Sequence, residues 1–164
     1  MRRQKRAADW CNKPFMLMME TDVLVRGKLN IPPNTTLLGS RINSGLNKEL
    51  RDVVDSVPGS TPVNTWGWPL IYSTEAFNDV WDFIVNNDDV FRALVKADYR
   101  FGCAGDVTTP VCFALRGYAE VPNPDLTECI RNPHWKTSAH PLLHQFREKY
   151  PESGSGYDGR HSGS

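Results

Sequence analysis

Apolar and polar residues alternate with a period of two from Phe15 to Arg26, which is typical of a β-strand. Met16, Met18 and Leu24 lie on the mixed face of this predicted strand, beside charged residues. The opposite face is strongly apolar and consists of Phe15, Leu17, Met19, Thr21, Val23 and Val25. The pattern predicts one long strand that buries its apolar face and leaves the three residues of the mixed face available for self-association.

Three later stretches change to the 3.6-residue period of an amphipathic helix. Residues 46–57 carry apolar side chains at this spacing, with Ser44 as the predicted N-cap and Pro58-Gly59 as the stop. A second helix is predicted to begin after Ser73 or Thr74 and to run to about residue 85. Residues 86–89 are polar and interrupt it, and a third helical pattern follows through residues 91–95.

The remaining elements are predicted to be short. An apolar run in residues 66–72 and a period-two pattern in residues 111–121 indicate two more strands, and residues 141–150 indicate a last helix. This order predicts one α+β domain over residues 14–150, with a small, mostly antiparallel sheet packed against two or three helices. Residues 151–164 are rich in Gly and Ser and are expected to be disordered.

The formal net charge of the 164 residues is zero, but the charge is unevenly distributed. Residues 1–13 contain five basic residues and one acidic residue, a net charge of +4, which leaves −4 for the remainder. Such a segment suits contact with phosphate groups. We therefore expect residues 1–13 to form a flexible basic arm outside the folded domain, which contacts an anionic membrane or nucleic acid through Arg2, Arg3, Lys5 and Arg6. A nuclear localisation signal and a solvated tail are the alternatives.

The start of the chain does not have the pattern of an export signal. Its basic residues are followed by Asp9, Asn12 and Lys13, and the apolar cluster Phe15–Met19 is shorter than a signal-peptide core. The four cysteines are far too few for a disulfide scaffold. The expected location is therefore inside the cell, and the protein is not expected to be secreted.

The candidate chemistry of the chain matches no common catalytic pattern. Cys129, His134, His140 and His144 are residue types that bind zinc, but their spacing matches no common zinc class, and histidines facing solvent are the simpler interpretation. Cys103 lies in a glycine turn without the local signature of a cysteine protease. Phosphate-binding glycine motifs are absent from the sequence. We therefore expect no enzymatic activity, no cofactor or metal, and no small-molecule substrate.

The order of elements resembles that of the compact matrix proteins of rhabdoviruses and bornaviruses. The resemblance rests on the basic N-terminus, the early strand, the amphipathic helix over residues 46–57 and the late strand ending in the sequence RGYAEVP. It implies a protein that coats a membrane, self-associates and contacts nucleocapsid without catalysis. Residues 32–35 are Pro-Pro-Asn-Thr, with Thr where the late motif of such proteins has Tyr, so the resemblance implies no budding role for them.

Two functional hypotheses follow. The first is a non-enzymatic viral assembly protein of the matrix type, which forms homo-oligomers and contacts anionic membrane, nucleoprotein or RNA through its basic arm. The second is a small viral RNA-binding or host-interaction protein of the silencing-suppressor type. They differ in whether lipid vesicles or RNA bind the basic residues.

Overall fold

A computed structural model describes residues 1–19, 23–40, 46–65, 69–101, 105–131 and 141–143. Within them the chain forms six helices, namely α1 (Arg2–Trp10), α2 (Lys48–Asp55), α3 (Thr74–Val85), α4 (Asp88–Phe101), α5 (Gly105–Leu115) and α6 (Pro124–Arg131). It also forms six short strands, namely β1 (Phe15–Met18), β2 (Leu24–Val25), β3 (Leu37–Gly39), β4 (Leu70–Ser73), β5 (Glu120–Pro122) and β6 (Leu142–Leu143).

The main sheet has four strands in the order β1-β4-β3-β5. The first two pairs are antiparallel, and β3 pairs with β5 in parallel. Strands β2 and β6 form a separate antiparallel ribbon. The predicted α+β class, with a small and mostly antiparallel sheet packed against helices, is therefore confirmed.

The two central strands of the main sheet, β3 and β4, are buried on both faces. Leu37, Leu70 and Tyr72 belong to a large core that includes residues of helices α1 to α5. Leu38 and Ile71 alternate with them and belong to a smaller core with residues of α6 and β6. This burial on both faces is the reason that the central strands read as continuous apolar runs.

The predicted long strand of residues 15–26 is wrong, because its two ends lie in different sheets. Strand β1 stops at Met18, where its partner β4 begins at Leu70, and Pro69 before it has no N–H to extend the ladder. Met16 is buried and faces the large core, whereas Phe15 and Leu17 pack against the small one. Both faces of β1 are therefore covered, and the expected single buried face does not exist.

The three amphipathic helices are confirmed, with one correction to a cap. The Ser73 side chain accepts a hydrogen bond from the Ala76 N–H at 3.2 Å and caps α3 as predicted. Helix α2 is capped by Asn47, whose side chain accepts from the Leu50 N–H at 2.9 Å. The predicted cap, Ser44, lies outside the described residues.

The strand predicted over residues 111–121 is mostly helix α5. The five residues from Val111 to Leu115 are all buried, so the period-two subset within them carried no information about the true period. Pro110 lies inside this helix, where local propensity disfavours it, and burial of the whole segment outweighs that cost. The chain then turns at Gly117, whose φ of +85° favours glycine, and enters β5.

Two further predictions fall at the C-terminal end. Leu142 and Leu143 form β6 and not the start of the predicted helix over residues 141–150. The rest of that helix, and the tail of residues 151–164, lie outside the described residues.

Candidate anion-binding face on the first helix

The N-terminal segment is part of the fold. Residues 2–10 form α1, which contacts α3 and buries Gln4 and Ala8. The Gln4 side chain donates a hydrogen bond from Nε2 to Thr109 Oγ1 at 3.1 Å, which joins α1 to α5. The expectation of a flexible arm outside the domain is therefore wrong for these residues, because one face of the segment is anchored in the core.

Helix α1 owes its position to this anchoring more than to its own electrostatics. Arg, Gln, Lys and Ala are good helix formers, which favours the conformation. Its first turn, however, contains no acidic residue and begins with Arg2 and Arg3, whose charges oppose the positive end of the helix dipole. An anion bound near these residues would therefore stabilise the helix as well as the two side chains.

The outward stripe of α1 combines cations with a bare aromatic ring. Arg3, Arg6, Ala7 and Trp10 lie at helical positions i, i+3, i+4 and i+7, so they share one face. All four are exposed, and Trp10 is 92% exposed. We call Arg2, which is exposed beside them, together with these four residues the basic face.

Three of the four predicted contact residues carry an exposed charge on this face. Arg2, Arg3 and Arg6 are exposed, and no acidic side chain among the described residues forms an ion pair with them. Lys5 instead forms an ion pair with Asp9 one turn along the helix, and only 23% of its side chain is exposed. The three arginines therefore lie together on the basic face, whereas the charge of Lys5 is compensated by Asp9.

The predicted self-association set is divided by the structure. Met16 is buried, and Met18 is partly buried against the large core, so their side chains are used within the chain. This part of the prediction is wrong, since β1 is covered on both faces. Leu24 is 40% exposed, and its neighbour Val25 in β2 is 47% exposed. The exposed part of the set is thus the β2 ribbon.

The candidate zinc set cannot be placed. His134, His140 and His144 lie outside the described residues, and Cys129 is in α6 at a position whose side chain is not described. Within the part of the chain that the structure describes, no group of three potential ligands is arranged to hold a metal ion.

Two residues of interest were missed by reasoning from the sequence. Trp10 is one, because a lone Trp between a basic and a polar segment gives no periodic signal. Glu120 is the other: it is 4% exposed, while its neighbours Ala119 and Val121 are exposed. A buried acidic residue between two exposed apolar residues is the opposite of what hydrophobic patterning predicts.

Glu120 is a buried carboxylate with an incomplete set of partners. Its Oε2 accepts hydrogen bonds from the Asn64 N–H at 2.8 Å, the Thr65 N–H at 2.9 Å and Thr65 Oγ1 at 3.1 Å. Its Oε1 has no partner among the described residues. Burial raises the pKa of Glu120 to about 7, against the opposing effect of these three hydrogen bonds.

The surroundings of Glu120 are tightly packed. A Cβ atom at Gly39 would come within 2.7 Å of Thr65 Cβ, so Gly39 permits the close approach of the segment that holds the carboxylate. The group therefore fastens residues 64–65 to the sheet, and we assign it to the stability of the fold.

Asp79, on helix α3, has two specific partners near the protein surface. It accepts a hydrogen bond from the Tyr118 hydroxyl at 2.8 Å and forms an ion pair with Arg116 at 3.0 Å. The Arg116 guanidinium lies 5.6 Å from the centre of the Phe83 ring. These contacts join α3 to the turn between α5 and β5.

Comparisons with protein-family models, with curated proteins and with solved structures find no match to this chain. Among the helices of the described residues, none has the length and apolar character that crossing a bilayer requires.

Proposed function

We propose that the protein is a non-enzymatic assembly protein of the matrix type, which binds an anionic membrane surface through the basic face and self-associates on it. The observation that carries this proposal is the 92% exposure of Trp10 on the same helix stripe as Arg3 and Arg6. Trp side chains favour the interface between lipid and water, and arginines are attracted to anionic lipid headgroups. The location that this implies is the inner side of a membrane, in a host cell or a virion.

The charges predict a weak contact for a single copy. Each Lys or Arg close to an anionic surface contributes about 1 kcal/mol, so the three exposed arginines contribute roughly 3 kcal/mol. This is less than the roughly 4 kcal/mol that corresponds to a millimolar dissociation constant. Firm attachment therefore requires Trp10 to enter the interface and several copies to bind together.

The shape of the basic face favours a membrane over single-stranded RNA. Sites for single-stranded nucleic acid combine a basic groove with several aromatic rings on which successive bases stack. Helix α1 offers one exposed aromatic ring, Trp10, beside arginines on the outer surface of a docked helix. A single ring flanked by cations matches an interfacial anchor better than a row of stacked bases.

Vesicle flotation with the wild-type protein tests the membrane proposal. We expect binding to vesicles that contain phosphatidylserine, little binding to pure phosphatidylcholine, and a loss of binding as the salt concentration rises. Single-stranded RNA is titrated in the same buffers. Binding to RNA with no preference for anionic vesicles would contradict the membrane proposal and support the RNA-binding alternative.

Self-association is proposed to use the exposed β2 ribbon, because Leu24 and Val25 are both exposed there. Sedimentation velocity of the wild type is expected to give a sedimentation coefficient that rises with concentration, and Leu24→Lys to remove that rise. Val121→Lys is the matched control, since Val121 is a similarly exposed strand residue in β5, at 49%. A wild-type protein that stays strictly monomeric at high concentration and low salt would refute self-association.

A further inference from the structure

An apolar groove of about 310 Å³ lies beside the basic face. Side chains of α1, α3, α4 and α5 line it, and Cys112, which is fully buried, contributes to it. Three of its lining residues are large apolar side chains with unusual exposure, namely Val85 at 45%, Phe91 at 44% and Val95 at 51%. The groove is therefore an apolar surface that the described residues do not cover.

Among the lining residues that the structure describes, Arg2 is the one with a charged side chain. Arg2 is exposed, so its guanidinium reaches solvent at the rim of the groove. No acidic side chain among the described residues pairs with it. The described lining thus combines an apolar interior with a cation, Arg2, and this is the complement of a molecule that has an apolar chain and an anionic head.

We propose that this groove binds a fatty acid monomer, with its chain between α3, α4 and α5 and its carboxylate at Arg2. The volume lies at the lower end of the range of small-molecule pockets, which is about 300–1,000 Å³. At about 30 Å³ for each methylene-sized group, the volume of a water molecule in the liquid, the groove holds roughly ten such groups. A saturated chain of about twelve carbons therefore fits, with its head outside.

This site differs from the membrane contact in its ligand and in its other residues, although Arg2 belongs to both. The membrane contact uses Arg3, Arg6 and Trp10, which do not line the groove. The groove takes a single dissolved molecule and needs no lipid surface. The two proposals can therefore fail independently.

Isothermal titration calorimetry with sodium dodecanoate below its micelle-forming concentration tests this proposal. We expect one site per chain, weaker binding of hexanoate because of its shorter chain, and weaker binding of dodecanol because it lacks the charge. Arg2→Gln is expected to weaken dodecanoate binding about fivefold, since one cation near an anion is removed. Its matched control is Arg3→Gln, which removes a neighbouring charge that does not line the groove and is expected to leave binding unchanged.

A second pair of variants tests the apolar part of the groove. Val95→Glu is expected to weaken dodecanoate binding at least tenfold, roughly, because it puts a carboxylate against the apolar chain. Val121→Glu is its control, with the same substitution at a similar exposure outside the groove. Val95 is half exposed, so the variant is expected to keep its circular dichroism spectrum and melting temperature.

Three results would overturn the proposal. The first is the absence both of binding heat and of any change in the circular dichroism spectrum when dodecanoate is added to the wild type. The second is an equal loss of dodecanoate binding in Arg2→Gln and Arg3→Gln. The third is dodecanoate binding by Val95→Glu that equals that of the wild type. Conversion of a wild-type oligomer to a monomer by Val95→Glu, with no dodecanoate binding in either, would show that a second copy covers the groove. A wild-type protein that binds dodecanoate but does not bind anionic vesicles would refute the membrane contact alone.

Discussion

Ala8→Glu is expected to raise the rate of tryptic cleavage within α1 by about a hundredfold. Ala8 is 3% exposed where α1 meets α3, so a glutamate there must either be buried without a partner or push the helix away. Either outcome costs about 3 kcal/mol of docking free energy, which corresponds to a hundredfold increase in the open population. Trypsin cuts after Arg and Lys, so the basic residues of α1 report this opening directly.

Ala7→Glu is the matched control for this experiment. Ala7 is exposed on the neighbouring turn position, and the substitution introduces the same charge into the same helix. We expect its cleavage rate to stay within about threefold of wild type, as for an exposed helix position. Rapid cleavage of the wild type at residues 2–6, at the rate of an unstructured peptide, would contradict the docked helix and restore a flexible arm.

Glu120→Gln is expected to change how stability depends on pH. The pKa of Glu120 is raised to about 7 in the folded protein, from an ordinary value of 4.5. At a pH between these two pKa values, Glu120 is protonated in the folded state and ionised in the unfolded state. The stabilising effect of this protonation is therefore fully present at low pH. Rising pH removes it, and the cost reaches roughly 3 kcal/mol above the folded pKa.

Urea unfolding of wild type and Glu120→Gln at several pH values measures this effect. The amide has no proton to lose, so the stability of the wild type relative to the variant should fall by roughly 2–3 kcal/mol between pH 5 and pH 8. Glu75→Gln, which makes the same substitution at an exposed position of α3, is the control against which the fall is measured. A constant difference between wild type and Glu120→Gln across this range would refute the buried carboxylate.

The parts of the fold that could be predicted are those with one buried face. Helices α2 and α3 bury residues at helical spacing and expose the rest, so periodicity identifies them, and Ser73 marks where α3 begins. Strand β1 packs against a core on each of its faces, and helix α5 is buried at every position from Thr109 to Leu115. When every side chain is apolar because every side is buried, the pattern no longer distinguishes a strand from a helix.

Two features of the candidate site escaped prediction for a different reason. The buried residues of α1 are Gln4 and Ala8, which are not strongly apolar. The hydrophobic pattern of the sequence therefore does not indicate that this segment packs against the core. In β5 the buried residue is Glu120, because the N–H groups of residues 64 and 65 satisfy its carboxylate. Polar residues that are buried with specific partners depend on contacts distant in sequence, which periodicity does not contain.

The positions of the basic residues, by contrast, were visible in the sequence, and their arrangement was not. The composition of residues 1–13 identifies a cationic segment. In helix α1, the side chains of Arg2, Arg3 and Arg6 are exposed, and Trp10 is exposed beside them. Lys5 instead forms an ion pair with Asp9. We propose that Trp10 and the arginines act together on an anionic membrane.

The most direct test of this claim is the affinity of Trp10→Ala for phosphatidylserine vesicles, measured beside wild type by flotation over a range of lipid concentrations. Burial of the Trp10 ring at the interface contributes roughly 1.5–3 kcal/mol, so we expect affinity to fall by tenfold or more, roughly. Phe91→Ala, which removes another exposed aromatic ring outside the basic face, should leave affinity unchanged. Equal vesicle affinity of Trp10→Ala and wild type would contradict the proposal that Trp10 enters the membrane interface.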